Sequence, residues 1–318
     1  MDAVPANPMQ PEETRPPLPP CSLIICSRNR PRLLIELVQS VLAGQERPRE
    51  IIIVDQSSEA PRDLPGEAGD GQTEIRYQLT RAVGASRARN LGIHLARHDL
   101  LAFSDDDMLC SPEWFGSLVR ALVRSGERGV VSGSVRSSGE NPQGFAPSTQ
   151  DDSRPMVFEG RVGRDVLYTG NMAMYRATVE AVGHFDERLG PGTAFPAAED
   201  NDFGFRLLEA GYRIVFVPEA LLYHRDWRSD RRDFLPLRWK YGLGQGGFLA
   251  KHCRLSDRYM MGRLFRDARH YFGRCLRGLR GDRRQALGDA TYLLGLFTGL
   301  VRWRLTQRET GPPDASRP

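Results

Sequence analysis

Acidic residues stand directly after short apolar runs in this 318-residue chain. Asp55 follows IIIV (51–54). Asp105, Asp106 and Asp107 follow LLAF (100–103). Glu199 and Asp200 lie together in PAAEDNDFGFRLLEAGY. A lone acidic residue at a strand end is ordinarily a solvated turn or a helix N-cap. Three consecutive carboxylates are different, because gathered close they repel one another unless a cation or an array of donors satisfies them. Oxygen donors of this kind suit Mg²⁺ or Mn²⁺, hard ions that bridge protein carboxylates to substrate phosphates. Successive residues of an extended segment point to opposite sides, so one Asp can reach a metal while another reaches a sugar hydroxyl. The triplet therefore predicts a divalent-metal phosphate site.

Those carboxylates need a scaffold, and the hydrophobic pattern supplies one. Residues 22–26, 51–54, 74–79 and 99–103 are short apolar or alternating runs that read as strands. Between the first two, Leu33, Leu34, Leu37, Val38 and Val41 recur at helical spacing over 31–43. Pro31 suits the first turn, where its missing N–H would be unpaired anyway. A second helix spans about 86–96. Ser111-Pro112-Glu113 opens a third, with Ser111 as N-cap and Pro112 at the first helical position. Strands alternating with helices predict an open α/β fold with a mostly parallel sheet. Such sheets bind ligands at the carboxyl ends of their strands, where these Asp residues stand. Residues 137–155 read as a surface loop. A second block over 157–224 carries a helix near 201–210 and a strand at 214–217.

Composition narrows the classes. With 40% hydrophobic and 26% charged residues and a net charge of +4, the chain is globular rather than collagen-like, coiled-coil or wholly disordered. No run reaches the ~18–20 apolar residues of a membrane-spanning helix. The first 20 residues hold seven of the 22 prolines and read as a disordered leader without a secretory signal. Five scattered cysteines form neither a zinc motif nor a disulfide framework; Cys26, in an apolar run, reads as a buried core thiol. A reducing, cytoplasmic compartment is expected. Charge is divided unevenly: residues 225–318 hold 21 Lys and Arg against 9 Asp and Glu, whereas 1–224 hold 23 against 31. A basic tail on an acidic body predicts an anionic partner.

Several stretches carry a family resemblance. SLIICSRNRPRLLIELVQSVLAGQERPREIIIVDQSS resembles the opening of family 2 glycosyltransferases of the GT-A fold. GASRARNLGI (84–93), LLAFSDDDMLCSPEWF (100–115), TGNMAMYR (169–176) and AEDNDFGFRLLEAGYRIVFVPEALLYH (198–224) are similar to later segments of that family, in its order, over about residues 21–250. The resemblance implies a nucleotide-sugar donor, a UDP-sugar first, with GDP- or dTDP-sugars as alternatives, and Mn²⁺ or Mg²⁺ as cofactor. Asp55 would accept a hydrogen bond from the base, with Ser27 and Arg28 bordering base and ribose. Arg89 would approach the nucleotide or its diphosphate. Asp105 and Asp107 match the family's Asp-x-Asp motif: Asp105 or Asp106 would lie near the ribose, and Asp107 would be the principal metal ligand. Asp105 and His224 would complete the metal set. Asp200, in the Glu199-Asp200 pair, would be the general base, and displacement would be inverting. Gly170 and Asn171 would line the acceptor side. Processive members carry Gln-x-x-Arg-Trp; here Leu235 precedes Arg238-Trp239, which implies a non-processive enzyme. The glycine-rich YGLGQGGFLAKH (241–252) reads as an acceptor element or a loop hinge.

The expected organisation is thus a leader over 1–20, a GT-A Rossmann-like sandwich over 21–225 and a basic helical extension over 226–318. In the extension, Met260, Met261, Leu264, Phe265, Ala268, Phe272, Cys275, Leu276 and Leu279 fall on one helical stripe. Residues 286–305 form a second, largely apolar helix. Together, 259–305 suit an anionic membrane surface, with packing on the catalytic domain as the plain alternative. The acceptor would be a glycan or a lipid-linked hydroxyl in cell-envelope or exopolysaccharide assembly, at the inner face of the membrane. Nucleic acid is not an expected partner. Rival readings are a sugar nucleotidylyltransferase, disfavoured because SRNRPRLL lacks a glycine-rich phosphate loop, and a non-catalytic glycan binder, which would need no base.

Overall fold

The computed structural model describes residues 16–65, 71–139, 149–225 and 233–309. Four strands, β1 (Cys21–Ser27), β2 (Glu50–Asp55), β3 (Glu74–Leu79) and β4 (Leu100–Asp105), lie in the parallel order β3-β2-β1-β4. The sheet continues through β8 (Asn171–Tyr175), β6 (Gly129–Ser137), β9 (Arg213–His224) and β5 (Met108–Cys110), with β7 (Met156–Phe158) paired to β9. Strands β6 and β9 share the direction of the first four; β5, β7 and β8 run against them. The expected mostly parallel α/β sheet is present.

Side-chain alternation along the strands builds two cores. Leu23, Ile25, Ile51, Ile53 and Ala102 face helices α1 (Pro31–Leu42) and α3 (Trp114–Ser125). Ile24, Ile52, Val54, Leu101 and Phe103 face α2 (Ala85–Leu95), α4 (Arg176–Val182) and α5 (Glu199–Glu209). A period of two sends successive apolar side chains to opposite faces, so strands buried on both sides read as unbroken Ile/Val/Leu runs.

Several boundaries differ from expectation. Helix α3 begins at Trp114, whose amide bonds the Ser111 carbonyl, and Ser111 contributes no side-chain cap. The strand expected at 214–217 extends to His224, because Pro218–Ala220 are taken up by a register shift opposite Gly133 and Ser134. Of the expected surface loop, Gln150 bridges Val135 and 140–148 lie outside the described residues. Of the expected leader, 1–15 also lie outside them, whereas Leu18 packs on the core and the Pro16 carbonyl accepts from Arg120.

The C-terminal part forms α6 (Phe234–His252), α7 (Arg258–Gly278) and α8 (Arg283–Glu309). The glycine-rich stretch is neither hinge nor loop; it is the buried middle of α6. A Cβ on Gly242 would stand 2.1 Å from the Tyr292 carbonyl oxygen, one on Gly246 2.1 Å from that of Leu296, and one on Gly299 2.3 Å from that of Leu243. The glycines are there so that the backbones of α6 and α8 can touch. One side of 286–305 packs on α6, which accounts for the apolar residues Leu293, Leu296, Leu300 and Trp303 on that side. Arg238 donates to Asp289 on α8, so the arginine of the Arg-Trp pair ties two helices together.

Candidate active site

The β1–α1 turn sets one edge of the site. Asn29 adopts φ 56°, a left-handed conformation that Asn tolerates better than most residues, and its amide donates to Ser57 Oγ at 2.6 Å. That reversal folds Arg30 back over the end of β4. Its Nη1 lies 3.0 Å from Asp106 Oδ1 and 2.8 Å from Asp107 Oδ2. Ser27 Oγ donates to Asp106 Oδ2 at 2.8 Å, and the Arg28 amide approaches the same oxygen at 3.4 Å; the Arg28 side chain is exposed. Burial and the neighbouring Asp107 charge push Asp106 up to about 7, against the opposing pull of Arg30.

Asp55 ends β2, buried. Its Oδ1 accepts from the amide and hydroxyl of Ser57 (2.9 and 2.5 Å), and its Oδ2 from Tyr77 Oη at 2.8 Å. Three bonds fix this carboxylate's plane, a useful property for reading a base edge. Neither Ser57 nor Tyr77 was expected from the sequence. Tyr77 sits one strand over on β3, and only the sheet order reveals its reach.

Asp105 and Arg89 occupy the middle. Arg89, only 4% exposed, donates from Nη2 to Asp105 Oδ1 (2.9 Å) and from Nη1 to Glu199 Oε1 (3.1 Å). The family resemblance puts it near the nucleotide or its diphosphate; here its guanidinium clamps two carboxylates of the site. Gly170 fits against Asp105, since a Cβ there would lie 2.4 Å from Oδ2. Asn171 does not line an acceptor surface. It is fully buried, accepting from Trp114 Nε1 and donating to the Ser134 and Ala220 carbonyls at the β9 irregularity. That irregularity delivers His224 to Asp107: Met108 pairs with His224, and the Arg225 amide donates to the Asp107 carbonyl. His224 Nε2 lies 3.8 Å from Asp107 Oδ2, while Nδ1 lies 3.1 Å from the Arg225 carbonyl oxygen.

Helix α5 brings the last carboxylates. It starts at Glu199, two residues before the expected 201, after Ala198 at φ 70°, a conformation rarely adopted by a residue with a Cβ. Asp200 has no ion-pair partner among the described residues; one oxygen accepts from the Asn201 amide at 2.9 Å. Burial, then the charges of Glu199 and Asp165, push Asp200 up to about 8. Tyr168, missed in the sequence, is the common neighbour: burial and then the charges of Asp105, Asp107 and Asp200 raise its phenol well above the ordinary value. Below the helix, Asn201 donates to Gln245 of α6, which donates to Asp267 of α7.

Among the described residues, no three His, Cys, Asp or Glu side chains form a ready metal cage. Asp107 and His224 nevertheless fit a divalent ion by donor chemistry. With the His224 Nδ1 proton on a carbonyl, Nε2 presents its lone pair beside a carboxylate, as metal-binding histidines do. Protein donors this few suit an ion that also takes phosphate oxygens.

The comparisons agree with this architecture. The model for glycosyl transferase family 2 matches residues 22–182. Hyaluronan synthase of Pasteurella multocida is 24% identical over 240 residues, covering 64% of this chain and 24% of that protein. Pre-mycofactocin glycosyltransferase of Mycobacterium tuberculosis is 28% identical over 267 residues, covering 79% and 52%. The chain thus spans a quarter to a half of these relatives. Among solved structures, the mannosyltransferase PcManGT of Pyrobaculum calidifontis, in complex with GDP-Man and Mn²⁺, superposes with TM-score 0.57 at 16% identity over 92% of this chain and 91% of that one. TarS 1-349 of S. aureus gives 0.55 at 13%, over 91% and 92%. At such identity the likeness is of fold, and the fold is that of the GT-A glycosyltransferases. The chain belongs to glycosyl transferase family 2.

Proposed function

We propose that this enzyme moves a sugar from a nucleoside-diphosphate donor to an acceptor hydroxyl by a single inverting displacement. The observation that carries the reading is Asp200: a carboxylate without an ionic partner among the described residues, raised to about 8, beside a phenol that also neighbours Asp105 and Asp107. Asp55 and its Ser57–Tyr77 brace would read the base. Asp105 or Asp106 would meet the ribose, with Arg89 and Glu199 holding Asp105 in place. Asp200 would take the proton of the acceptor hydroxyl as that oxygen attacks the anomeric carbon; the bond to the diphosphate breaks and its electron pair leaves with the nucleotide. A general base with pKa near the working pH combines availability with driving force. Asp107 and His224 would hold Mn²⁺ or Mg²⁺, which when bound offsets charge on the departing diphosphate. PcManGT, solved with GDP-Man and Mn²⁺, supports this kind of donor and ion.

The setting we propose is glycan assembly at an anionic membrane surface, on the cytoplasmic side. No helix among the described residues is long and apolar enough to cross a membrane. Met260 of the expected apolar stripe is core. Phe265, Phe272 and Leu276 of α7 and Leu279 at its C-cap remain exposed, as do Leu287, Leu294, Phe297, Val301 and Leu305 of α8. Exposed arginines flank them, among them Arg269, Arg277, Arg283 and Arg302, while Asp289 is buried and Asp267 half-buried. Apolar faces bordered by cations fit an anionic bilayer interface. The enzymatic half of the reading is tested with Asp200→Asn: donor nucleotide should still bind while sugar transfer is lost. Undiminished transfer would contradict it.

A further inference from the structure

We infer that Arg30 is a built-in counter-cation for the acidic triplet, competing with the divalent ion for Asp107 and leaving when that ion arrives. The inference rests on the metal reading above. Its basis is geometric. One guanidinium nitrogen lies 3.0 Å from Asp106 Oδ1 and 2.8 Å from Asp107 Oδ2. Two adjacent, buried carboxylates repel, and a permanently charged guanidinium is the group that relieves this without a proton or a metal. The oxygen it holds, Asp107 Oδ2, is also the one nearest His224 Nε2, at 3.8 Å. A cation bound between Asp107 and His224 would meet the positive charge of Arg30 on its own ligand.

The construction of the turn lets Arg30 leave without dismantling the site. Asp106 keeps Ser27 Oγ and the Arg28 amide, and Asp107 is tied through its backbone carbonyl to Arg225. The Arg30 side chain is already 32% exposed, so swinging outward returns it to water, and the hydration it gains offsets part of the ion pairing it gives up. Arg30 thus sets the threshold of metal binding: it keeps the site assembled before the donor arrives and raises the cation concentration needed to occupy it. Released, it is a mobile cation at the rim of a site that receives a diphosphate.

The test measures Mn²⁺ binding to the full chain by electron paramagnetic resonance, with no nucleotide present. Arg30→Gln should bind Mn²⁺ about tenfold more tightly than wild type, since a charge-assisted contact no longer has to be given up. Arg30→Lys, which keeps the charge, should stay near wild type. In the unmodified protein, phenylglyoxal should modify Arg30 faster with Mn²⁺ than with EDTA, as read by peptide mass spectrometry; this arm needs no variant to fold. Equal or weaker Mn²⁺ binding by Arg30→Gln, or unchanged Arg30 reactivity, would overturn the inference and leave the metal reading standing. Failure of the wild-type protein and both variants to bind Mn²⁺ at millimolar concentration would overturn both.

Discussion

Asp200 and Asp202 are two residues apart on the first turn of α5, and their environments are opposite. Asp202 is fully buried and surrounded by nitrogen groups: His252 Nε2 and Lys251 Nζ at 2.7 Å on one oxygen, and Arg206 Nε at 2.9 Å on the other. Burial alone would raise its pKa, but those donors hold it below the usual carboxylate value. Asp200 faces Glu199, Asp165 and Tyr168 instead, and its pKa is pushed up to about 8. One turn of helix thus carries a carboxylate whose charge is fully compensated and one whose charge is not. The first locks α5 onto α6. The second is poised to gain and lose a proton, the pattern expected where chemistry is done.

The largest effect is expected at Asp200. Replacement by Asn should lower transfer by about 10²–10⁴-fold, the usual share of a general base, with nucleotide binding unchanged in a fluorescence titration. Equal loss of binding would assign Asp200 to the donor pocket instead. Asp202→Asn attacks the other half. It should destabilise the protein by about 3–5 kcal/mol, the common result of removing one partner from a buried ionic network, measured by urea unfolding. Asp200→Asn should by contrast be no less stable than wild type. A raised folded-state pKa means that ionising this Asp opposes folding as pH climbs, so deleting the charge relieves a cost.

Acid and base should separate the two sites further. Transfer measured as kcat/KM should rise with pH through about 8, as Asp200 loses its proton. Stability follows the other group. Asp202 and Asp186 have depressed pKa values, Asp186 because Arg188 and Lys251 outweigh its burial. Their contribution is intact above the ordinary carboxylate pKa and is lost as pH falls below about 4. An acid-induced loosening of the α5–α6 contact, followed by hydrogen exchange, checks this. The smallest expected effect concerns the exposed helices: replacing Leu294 and Phe297 with Ser should reduce sedimentation with phosphatidylglycerol vesicles at low salt and leave soluble turnover unaltered.

The cores of this fold were legible because a strand buried on both faces announces itself as a run such as IIIV, and the first four strands fall within a residue or two of where that pattern places them. The acidic triplet was legible because three charges after an apolar strand need an explanation. Partnerships were not. Arg30 looks like one of several arginines in SRNRPR until the left-handed turn at Asn29 folds it onto Asp106 and Asp107. Asn171 looks like a site residue but is consumed by the β9 irregularity. YGLGQGG reads as a loop because glycine disfavours an isolated helix. Contact with α8, visible only in three dimensions, is what makes the missing Cβ atoms favourable.

The central claim is that the carboxylates at the strand ends form a metal-assisted nucleotide-sugar site. It is tested most directly by nucleotide release from UDP-, GDP- and dTDP-sugars, with Mn²⁺, Mg²⁺ or EDTA and acceptor glycans present, for wild type and Asp107→Ala. Release should occur with one donor class, depend on the divalent ion and be abolished in the variant. Release that persists in EDTA, or in Asp107→Ala, would contradict it.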